Sequence, residues 1–124
     1  MLSVPSSNPL LRLHDIVKNC ERIFSYTNGM DDQTFISDER TKDAVERCLS
    51  RISEAAYQLG NRYDDLIPKA HWAGARGIDN ILRHQYDQMK DSDIWEAIIK
   101  DQPPLGEAAT NEIARLSHNN DVIE

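Results

Sequence analysis

Apolar residues recur at steps of three and four along most of this chain, which is the period of an amphipathic α-helix. The clearest such segment begins at Asn8-Pro9, where Asn8 suits a helix N-cap and Pro9 the first helical position, and it stops at Asn28-Gly29. Its apolar stripe consists of Leu13, Ile16, Val17, Cys20, Ile23 and Phe24. No segment shows the sustained alternation of β-branched residues that predicts a β-strand, so the pattern predicts an all-α protein.

A second long helix is expected after a short helical turn at 32–36. Ser37 or Asp38 is suited to cap this helix, and Gly60 is suited to end it. Its predicted buried stripe consists of Val45, Cys48, Leu49, Ile52, Ala55, Ala56 and Leu59. Residues 61–68 are predicted to form a connector to the next helix.

The third predicted helix, from about residue 69 to 86, is unusual because it contains Gly74 and Gly77. A glycine in a helix interior lowers stability by roughly 1 kcal/mol relative to alanine. A helix that keeps two of them is therefore expected to be approached closely by another helix or by the backbone of a ligand.

Two further helices are predicted on either side of the Asp-Gln-Pro-Pro segment at 101–104, with Asp91 or Ser92 capping the first of them. The residues expected to face inward are Ile94, Trp95, Ile98 and Ile99 in the fourth helix, and Leu105, Ala108, Ile113 and Leu116 in the fifth. Short connections between consecutive long helices favour antiparallel neighbours. We therefore expect an up-and-down four-helix bundle with an additional short helix.

The length of 124 residues fits a single domain, 1–124, in which about residues 1–8 and 119–124 are expected to be frayed tails. Cys20 and Cys48 are isolated and are interpreted as reduced core thiols. The net charge of −7 argues against non-specific coating of nucleic acid, so any action on RNA has to come from a local site. With no long apolar run and no signal-peptide pattern, we expect a cytoplasmic protein without a membrane span.

Residues with chemical potential concentrate near the end of the glycine-containing helix. Asn80 and His84 are four residues apart, so they share one face of the helix at a separation of about 6 Å. Arg76 lies a further turn back, and Arg83 points about 100° away from His84. Tyr86 follows just after the histidine.

This set suits metal-independent RNA cleavage, which needs a base for the ribose 2′-OH proton and a cation for the charge that builds on phosphorus. Histidine as a residue type exchanges its proton near neutral pH, which suits position 84 to acid/base work, and an arginine fork such as that of Arg76 matches a phosphate. A structural interpretation is open as well, because a histidine near a helix C-terminus interacts favourably with the helix dipole.

Several short motifs also occur in a characteristic order along the chain. They are Asp15-Ile16, Arg40-Thr41-Lys42-Asp43-Ala44-Val45-Glu46-Arg47, Ile52-Ser53-Glu54-Ala55-Ala56, Asn80 with Leu82-Arg83-His84-Gln85-Tyr86-Asp87, Ile94-Trp95, and Asp101-Gln102-Pro103-Pro104-Leu105. In this order they resemble the HepT-like ribonuclease family of the HEPN superfamily. The resemblance runs from about Leu13 to Leu116.

The resemblance implies an all-helical homodimer that acts as a metal-independent endoribonuclease toxin, with no metal site and no cofactor. In this family an arginine and a histidine a few residues later form the active site, and two copies face each other across the dimer cleft. The partner is a minimal nucleotidyltransferase antitoxin, which in some pairs attaches AMP to a tyrosine two residues after the histidine. His84 and Tyr86 match that histidine and that tyrosine.

On this basis each candidate residue receives an expected role. We expect His84 to be the general acid/base, Arg76 to stabilise the phosphate and Asn80 to position His84 or the phosphate. Arg83 is expected to contact the RNA phosphate, and Tyr86 to accept AMP. Arg40, Arg47 and Glu54 are interpreted as scaffold, with the dimer cleft as their alternative location.

The sequence departs from the family pattern at one position. The family has an Arg-Asn pair before the histidine; Asn80 matches the Asn, but Asp79 stands in place of the Arg. A carboxylate there repels RNA phosphate. Two interpretations remain open: Arg76 swings in as a substitute, or the chain is a weak or inactive nuclease retained as a helical dimer that binds a nucleotidyltransferase and is AMP-modified at Tyr86. A third possibility is a helical scaffold in which the motif is incidental.

Overall fold

Long helices packed side by side form the body of the molecule, and two short helices cover its flank. The structure, a computed structural model, describes residues 8–84 and 91–123, without the side chains of residues 81, 83, 84 and 119–123. The helices are α1 (Pro9–Thr27), α2 (Asp32–Ile36), α3 (Glu39–Leu59), α4 (Trp72–His84), α5 (Asp91–Lys100) and α6 (Gln102–Ile123), with a 3-10 helix at Pro68–Ala70. The described residues contain no strand, so the all-α prediction is confirmed.

The core lies where α1 packs along α3 and α6, and where α3 packs along α4. The α1 helix contributes Leu13, Ile16 and Ile23, all of which are buried. Every member of the predicted α3 stripe is buried: Val45, Cys48, Leu49, Ile52, Ala55, Ala56 and Leu59. This packing agrees with the predicted helical bundle. None of the helices among the described residues combines the length and apolar composition that a bilayer crossing requires.

Short polar side chains fix the starts of two helices. At α2, Asp31 Oδ1 accepts a hydrogen bond from the Thr34 backbone N–H at 2.9 Å, and the Asp31 N–H donates to Thr34 Oγ1 at 2.9 Å. At α3, Asp38 Oδ1 accepts from the Thr41 N–H at 3.0 Å, so Asp38 is the cap. Asn8 occupies the predicted N-cap position of α1, but its side chain accepts no capping hydrogen bond there.

Two residues that were expected to face inward lie on the surface instead. Phe24 is 74% exposed and Ile99 is 55% exposed, so both predictions are wrong. They line an apolar groove of about 550 Å³ that runs between α1, α5 and α6 beside Trp95. The apolar stripes of α1 and α5 are wider than the surface that neighbouring helices cover, and periodicity within one helix does not reveal how much of its stripe a neighbour reaches.

The connector before α4 is longer than expected. After the 3-10 helix, His71 adopts a left-handed conformation with φ of 54°, and α4 begins only at Trp72. The Trp72 Nε1–H donates to the Ile67 carbonyl at 2.9 Å, which ties the start of α4 to the connector. The predicted helix start near Lys69 is therefore wrong by about one turn. The predicted C-terminal end at Tyr86 lies outside the described residues.

The two α4 glycines are not closely approached by the residues that the structure describes. A Cβ at Gly77 would meet nothing within 4 Å, and one at Gly74 would meet only His71 Cβ at 4.0 Å. Among residues 8–84 and 91–123, no neighbouring helix therefore requires glycine at either position.

Candidate functional site

The α4 helix presents three distinct faces. Its buried face carries Trp72 and Ala75, with Ile78 and Leu82 partly buried against the core. These residues hold α4 against α3. Arg76, Asp79 and Asn80 lie on the other faces of α4 and are not part of the buried core.

The outward face of α4 is lined by small and polar residues. Ala73 and Asn80 are exposed, and Gly77 between them has open space above it. Position 84 comes four residues after Asn80, so it falls on the same helix face. Asn80 is thus exposed on this face, and position 84 follows it by one turn of the α4 backbone.

Arg76 points to the connector. Its Nη1 donates to Asp64 Oδ1 at 2.8 Å and to the Gly60 carbonyl at 2.8 Å, while its Nη2 donates to Asp64 Oδ2 at 2.7 Å. These hydrogen bonds hold the pKa of the Asp64 carboxyl below its usual value and raise the pKa of Arg76. The Arg76 guanidinium, which was expected to hold a phosphate, is thus paired with the Asp64 carboxylate and hydrogen-bonded to the C-terminal end of α3.

Asp79, by contrast, faces α3. The Ser50 Oγ–H donates to Asp79 Oδ1 at 2.8 Å, and the Asp79 N–H donates to Ser53 Oγ at 3.2 Å. The Ser53 Oγ–H donates to the Arg76 carbonyl at 2.9 Å. These bonds set the antiparallel register of the two helices, in which residues 50 and 53 of α3 lie level with residues 76–79 of α4. One turn further, Arg47 of α3 comes level with residues 82 and 83 of α4.

Asp79 also lines a polar pocket of about 420 Å³ between α1, α3 and α4. Arginines and carboxylates dominate its wall: Arg12, Arg47, Arg51, Asp15, Glu54 and Asp79. The three positive and three negative charges balance. The pocket therefore offers paired charges and hydrogen-bonding groups rather than a uniformly basic surface.

Two atoms at the α1 side of this pocket have no hydrogen-bond partner among the residues that the structure describes. Asn19 is 4% exposed; its Nδ2 donates to the Asp15 carbonyl at 2.8 Å, but its Oδ1 has no partner. The Nε–H of Arg12 is likewise buried without an acceptor, while the Arg12 Nη1 lies 3.7 Å from Asp15 Oδ2. An unpaired buried polar atom costs about 1–3 kcal/mol, so native structures rarely keep one without reason.

The pocket was not predicted from the sequence. Arg47 and Glu54 were interpreted as scaffold, and Arg12, Asn19 and Arg51 were not singled out. The one available signal was Asn19, an amide three residues after Ile16 and four before Ile23, on the buried stripe of α1. A polar residue at such a position has to find partners or keep an unsatisfied atom.

The remaining predicted residues contribute less to this region. Tyr86 lies outside the described residues, and for Arg83 and His84 only the backbone within α4 is described. His14, His71 and His118 are all exposed. In the part of the chain that the structure describes, no three His, Cys, Asp or Glu side chains converge as they would around a metal ion.

The two cysteines have thiols that remain protonated. Burial raises the pKa of Cys20 to about 12 and also raises the pKa of Cys48. Both are free of disulfides. Cys48 is buried, and Cys20 is partly buried beside Gln102, to whose Oε1 its Sγ–H donates at 3.5 Å. Both thiols are unreactive packing groups in this arrangement.

Comparison with known proteins places this arrangement in a family. Residues 16–111 match the family model described as ribonuclease HepT-like. The chain is 30% identical over 100 residues, 81% of its own length and 83% of the relative's, to a protein of Methanocaldococcus jannaschii described as a candidate RNase. It is also 29% identical over 93 residues, 75% of the chain and 84% of the relative, to a protein of Thermococcus cleftensis described as a probable ribonuclease HepT.

A protein of Caldanaerobacter subterraneus subsp. tengcongensis, also described as a candidate RNase, is 29% identical over 93 residues, which are 75% of this chain and 83% of the relative. No solved structure matches the chain significantly. The matched family segment begins in α1, ends in α6 and includes all of α3, α4 and α5. Sequence and helical architecture agree, and the chain belongs to the ribonuclease HepT-like family.

Proposed function

We propose that this chain is a metal-independent endoribonuclease toxin of a toxin–antitoxin pair, acting on RNA in the cytoplasm as a single-domain protein. The observation that carries the proposal is the family match over residues 16–111, which includes the whole of α4 with Asn80 and His84. The exposed position of Asn80 supports it, because a catalytic histidine on the same helix face has to be open to RNA.

The chemistry assigns each residue one task. His84 accepts the proton of a ribose 2′-OH, and the freed oxygen attacks the adjacent phosphorus. The bond from phosphorus to the 5′-oxygen of the next nucleotide then breaks, which leaves a 2′,3′-cyclic phosphate, and the protonated His84 returns its proton to the departing 5′-oxygen. Asn80 lies one turn before His84 and is suited to position the imidazole or the phosphate by hydrogen bonding.

The developing charge on phosphorus needs a cation, for which α4 offers Arg76 and Arg83. Arg76 acts on a phosphate only after leaving Asp64, with which it forms two hydrogen bonds of 2.8 and 2.7 Å. Position 83 lies one turn after Asp79, on the flank of α4 that faces the polar pocket. In this proposal Arg76 stabilises the scissile phosphate and Arg83 contacts a neighbouring one.

A homodimer is part of the proposal. Ala73, Gly77 and Asn80 form an outward α4 face on which the described part of the chain places no covering element. Glycine permits a second backbone to approach closely. Two copies that pair along this face bring their two His84 positions to one cleft.

One specific observation favours the alternative function, a helical dimer with little or no nuclease activity. Asp79 lines the polar pocket and occupies the sequence position at which the family pattern has an arginine. The nearest upstream arginine, Arg76, is paired with Asp64. In this alternative the chain binds a minimal nucleotidyltransferase. The Tyr86 phenol oxygen then attacks the α-phosphorus of ATP in that enzyme, so that AMP is attached and pyrophosphate leaves.

The deciding experiment is RNA cleavage in EDTA by the purified chain, compared with His84→Ala and Arg76→Ala. We expect cleavage by the unaltered chain, loss of at least a hundredfold in His84→Ala, and a smaller loss in Arg76→Ala. His118→Ala is the matched control, because His118 is an exposed histidine on α6 away from the α4 face. Equal cleavage by His84→Ala and His118→Ala would overturn the assignment of His84.

If the unaltered chain does not cleave RNA, the alternative is tested directly. The chain is incubated with ATP and a minimal nucleotidyltransferase, and its mass is measured. A gain of one AMP that disappears in Tyr86→Phe supports the partner-binding function. No gain, together with no complex between the two proteins, would leave the antitoxin partnership without support.

A further inference from the structure

The polar pocket between α1, α3 and α4 has the features of a ligand site. Its volume of about 420 Å³ falls in the range of small-ligand pockets. Its wall contains the buried Asn19 Oδ1, an acceptor, and the Arg12 Nε–H, a donor; neither has a partner within residues 8–84 and 91–123. A ligand that both accepts and donates hydrogen bonds would satisfy both atoms.

The arginines of the pocket differ in how far they are engaged. Arg12 is paired with Asp15 at 3.7 Å, and the charge of Arg51 lies near enough to the Cys48 thiol to oppose the rise in its pKa that burial causes. Arg47 is exposed and forms no ion pair with a carboxylate among the residues that the structure describes. Its guanidinium is thus the group of the pocket most available to an incoming anion.

The carboxylates of the pocket already have donors. Ser50 donates to Asp79 at 2.8 Å, Gln58 donates to Glu54 at 3.1 Å, and Arg12 lies beside Asp15. Because the pocket is neutral as a whole, it does not attract polyanions by bulk charge. It instead suits one phosphate at Arg47, with an uncharged, hydrogen-bonding group deeper inside.

We propose that this pocket is a nucleotide subsite for the RNA strand, in which Arg47 and Arg51 hold a phosphate and the Arg12 Nε–H and Asn19 Oδ1 contact the donor and acceptor edge of a base. The ligand class assigned to this subsite, a nucleotide of RNA, rests on the proposed ribonuclease function. Both unpaired atoms are covered, so the Arg12 side chain, the more exposed of the two, has to turn toward the base as it enters.

The register of α3 against α4 connects this subsite with the catalytic face. Ser50 is level with Asp79, so Arg47 lies level with residues 82 and 83, close to the turn that carries His84. A nucleotide held at Arg47 therefore lies alongside the α4 segment on which cleavage is proposed. The subsite serves to fix the strand and to select the base next to the cleaved bond.

The phosphate part is tested by fluorescence anisotropy with a labelled twelve-nucleotide single-stranded RNA, using the full chain with His84→Ala so that the RNA stays intact. Adding Arg47→Ala is expected to weaken binding about tenfold and to lower the slope of log Kd against log salt by about 0.7. Arg40→Ala is the matched control, because Arg40 is an exposed arginine of the same helix outside the pocket. Arg47→Lys keeps the positive charge without the guanidinium fork, and its loss of RNA affinity is expected to be smaller than that of Arg47→Ala.

Equal weakening by Arg47→Ala and Arg40→Ala overturns the phosphate part. The base part is tested with A, C and U homopolymers of the same length: the parent is expected to prefer one of them, and Arg12→Lys to flatten the preference. A parent without preference overturns the base part. If RNA binding depends on Arg47 but the unaltered chain does not cleave RNA, the subsite stands and only the proposed function is overturned. If the unaltered chain cleaves RNA but binding does not depend on Arg47, the proposed function stands and the subsite is overturned.

Discussion

Arg76 and Asp64 form a two-point ion pair that joins α4 to the connector following α3. The Arg76 guanidinium donates to both Asp64 carboxylate oxygens and also to the Gly60 carbonyl at the C-terminal end of α3. A planar fork that matches a carboxylate in this way is stronger than a single-point contact. The pair gives Arg76 a clear structural task, alongside the catalytic task proposed for it.

Replacing Arg76 with alanine is expected to lower the free energy of unfolding by about 1–2 kcal/mol, because the Gly60 carbonyl and Asp64 both lose their donor. Urea denaturation measures this change. Arg40→Ala, which removes an exposed arginine from α3, is the control and is expected to leave stability nearly unchanged. An Arg76→Ala chain as stable as the control would show that the pair contributes nothing to the fold.

The same pair predicts a pH dependence. Arg76 lowers the pKa of Asp64 in the folded chain. The ion pair therefore contributes fully to stability above the unfolded-state pKa of about 3.9, and this contribution is lost as the pH falls through the lower pKa of the folded chain. The stability difference between the unaltered chain and Arg76→Ala is therefore expected to shrink as the pH falls below about 4. Melting temperatures from pH 3 to 7 measure it, and a constant difference across this range would contradict the assignment.

Substitutions at Gly77 are expected to affect the stability of the folded chain and its self-association differently. Gly77→Ala should stabilise the folded chain by about 1 kcal/mol, because the new Cβ meets nothing within 4 Å and alanine favours the helix. Gly77→Leu adds a larger side chain to this face and should weaken the dimer proposed along it, as measured by sedimentation equilibrium. Ala114→Leu, at an exposed position on α6, is the control. Unchanged association in Gly77→Leu would place the dimer interface elsewhere.

Glu112 is a buried carboxylate on α6 that is expected to matter for stability. It accepts hydrogen bonds from Arg115 Nε at 2.6 Å and Nη2 at 2.8 Å, which lower its pKa, and the Tyr63 phenol lowers that pKa further. Glu112→Gln is expected to lower the free energy of unfolding by roughly 1 kcal/mol, because the bonds to Arg115 lose their charge assistance. Glu107→Gln, at an exposed position of the same helix, serves as the control, and equal stabilities would contradict the prediction.

The thiols are expected to resist alkylation in the folded chain. With a pKa of about 12, Cys20 has on the order of one thiolate in ten thousand molecules at pH 8. Mass spectrometry after iodoacetamide treatment should therefore find little labelling until urea unfolds the chain, when both cysteines react. Rapid labelling of Cys20 without urea would mean that the helices around it open frequently.

Local patterns in the sequence determined most of the helices. The α3 stripe from Val45 to Leu59 repeats at the helical period, and all its members are buried, because the length of the helix and the width of its apolar face are both written in consecutive residues. Asp38 could be predicted as a cap candidate for the same reason, because an N-cap side chain accepts a hydrogen bond from a backbone N–H only two or three residues later in the sequence. The motif that places Asn80 and His84 on one face of α4 is equally local.

Only the tertiary structure decided which polar groups meet. Arg76 pairs with Asp64 because the connector folds back over the end of α3. Asn19 and Arg12 line one pocket with Arg47 and Asp79 because three helices converge there. Helical periodicity gives the direction of each side chain around its own axis, but not the register or the rotation of one helix against another. Those depend on how the buried faces interlock, and they determine both the polar pocket and the exposure of Phe24.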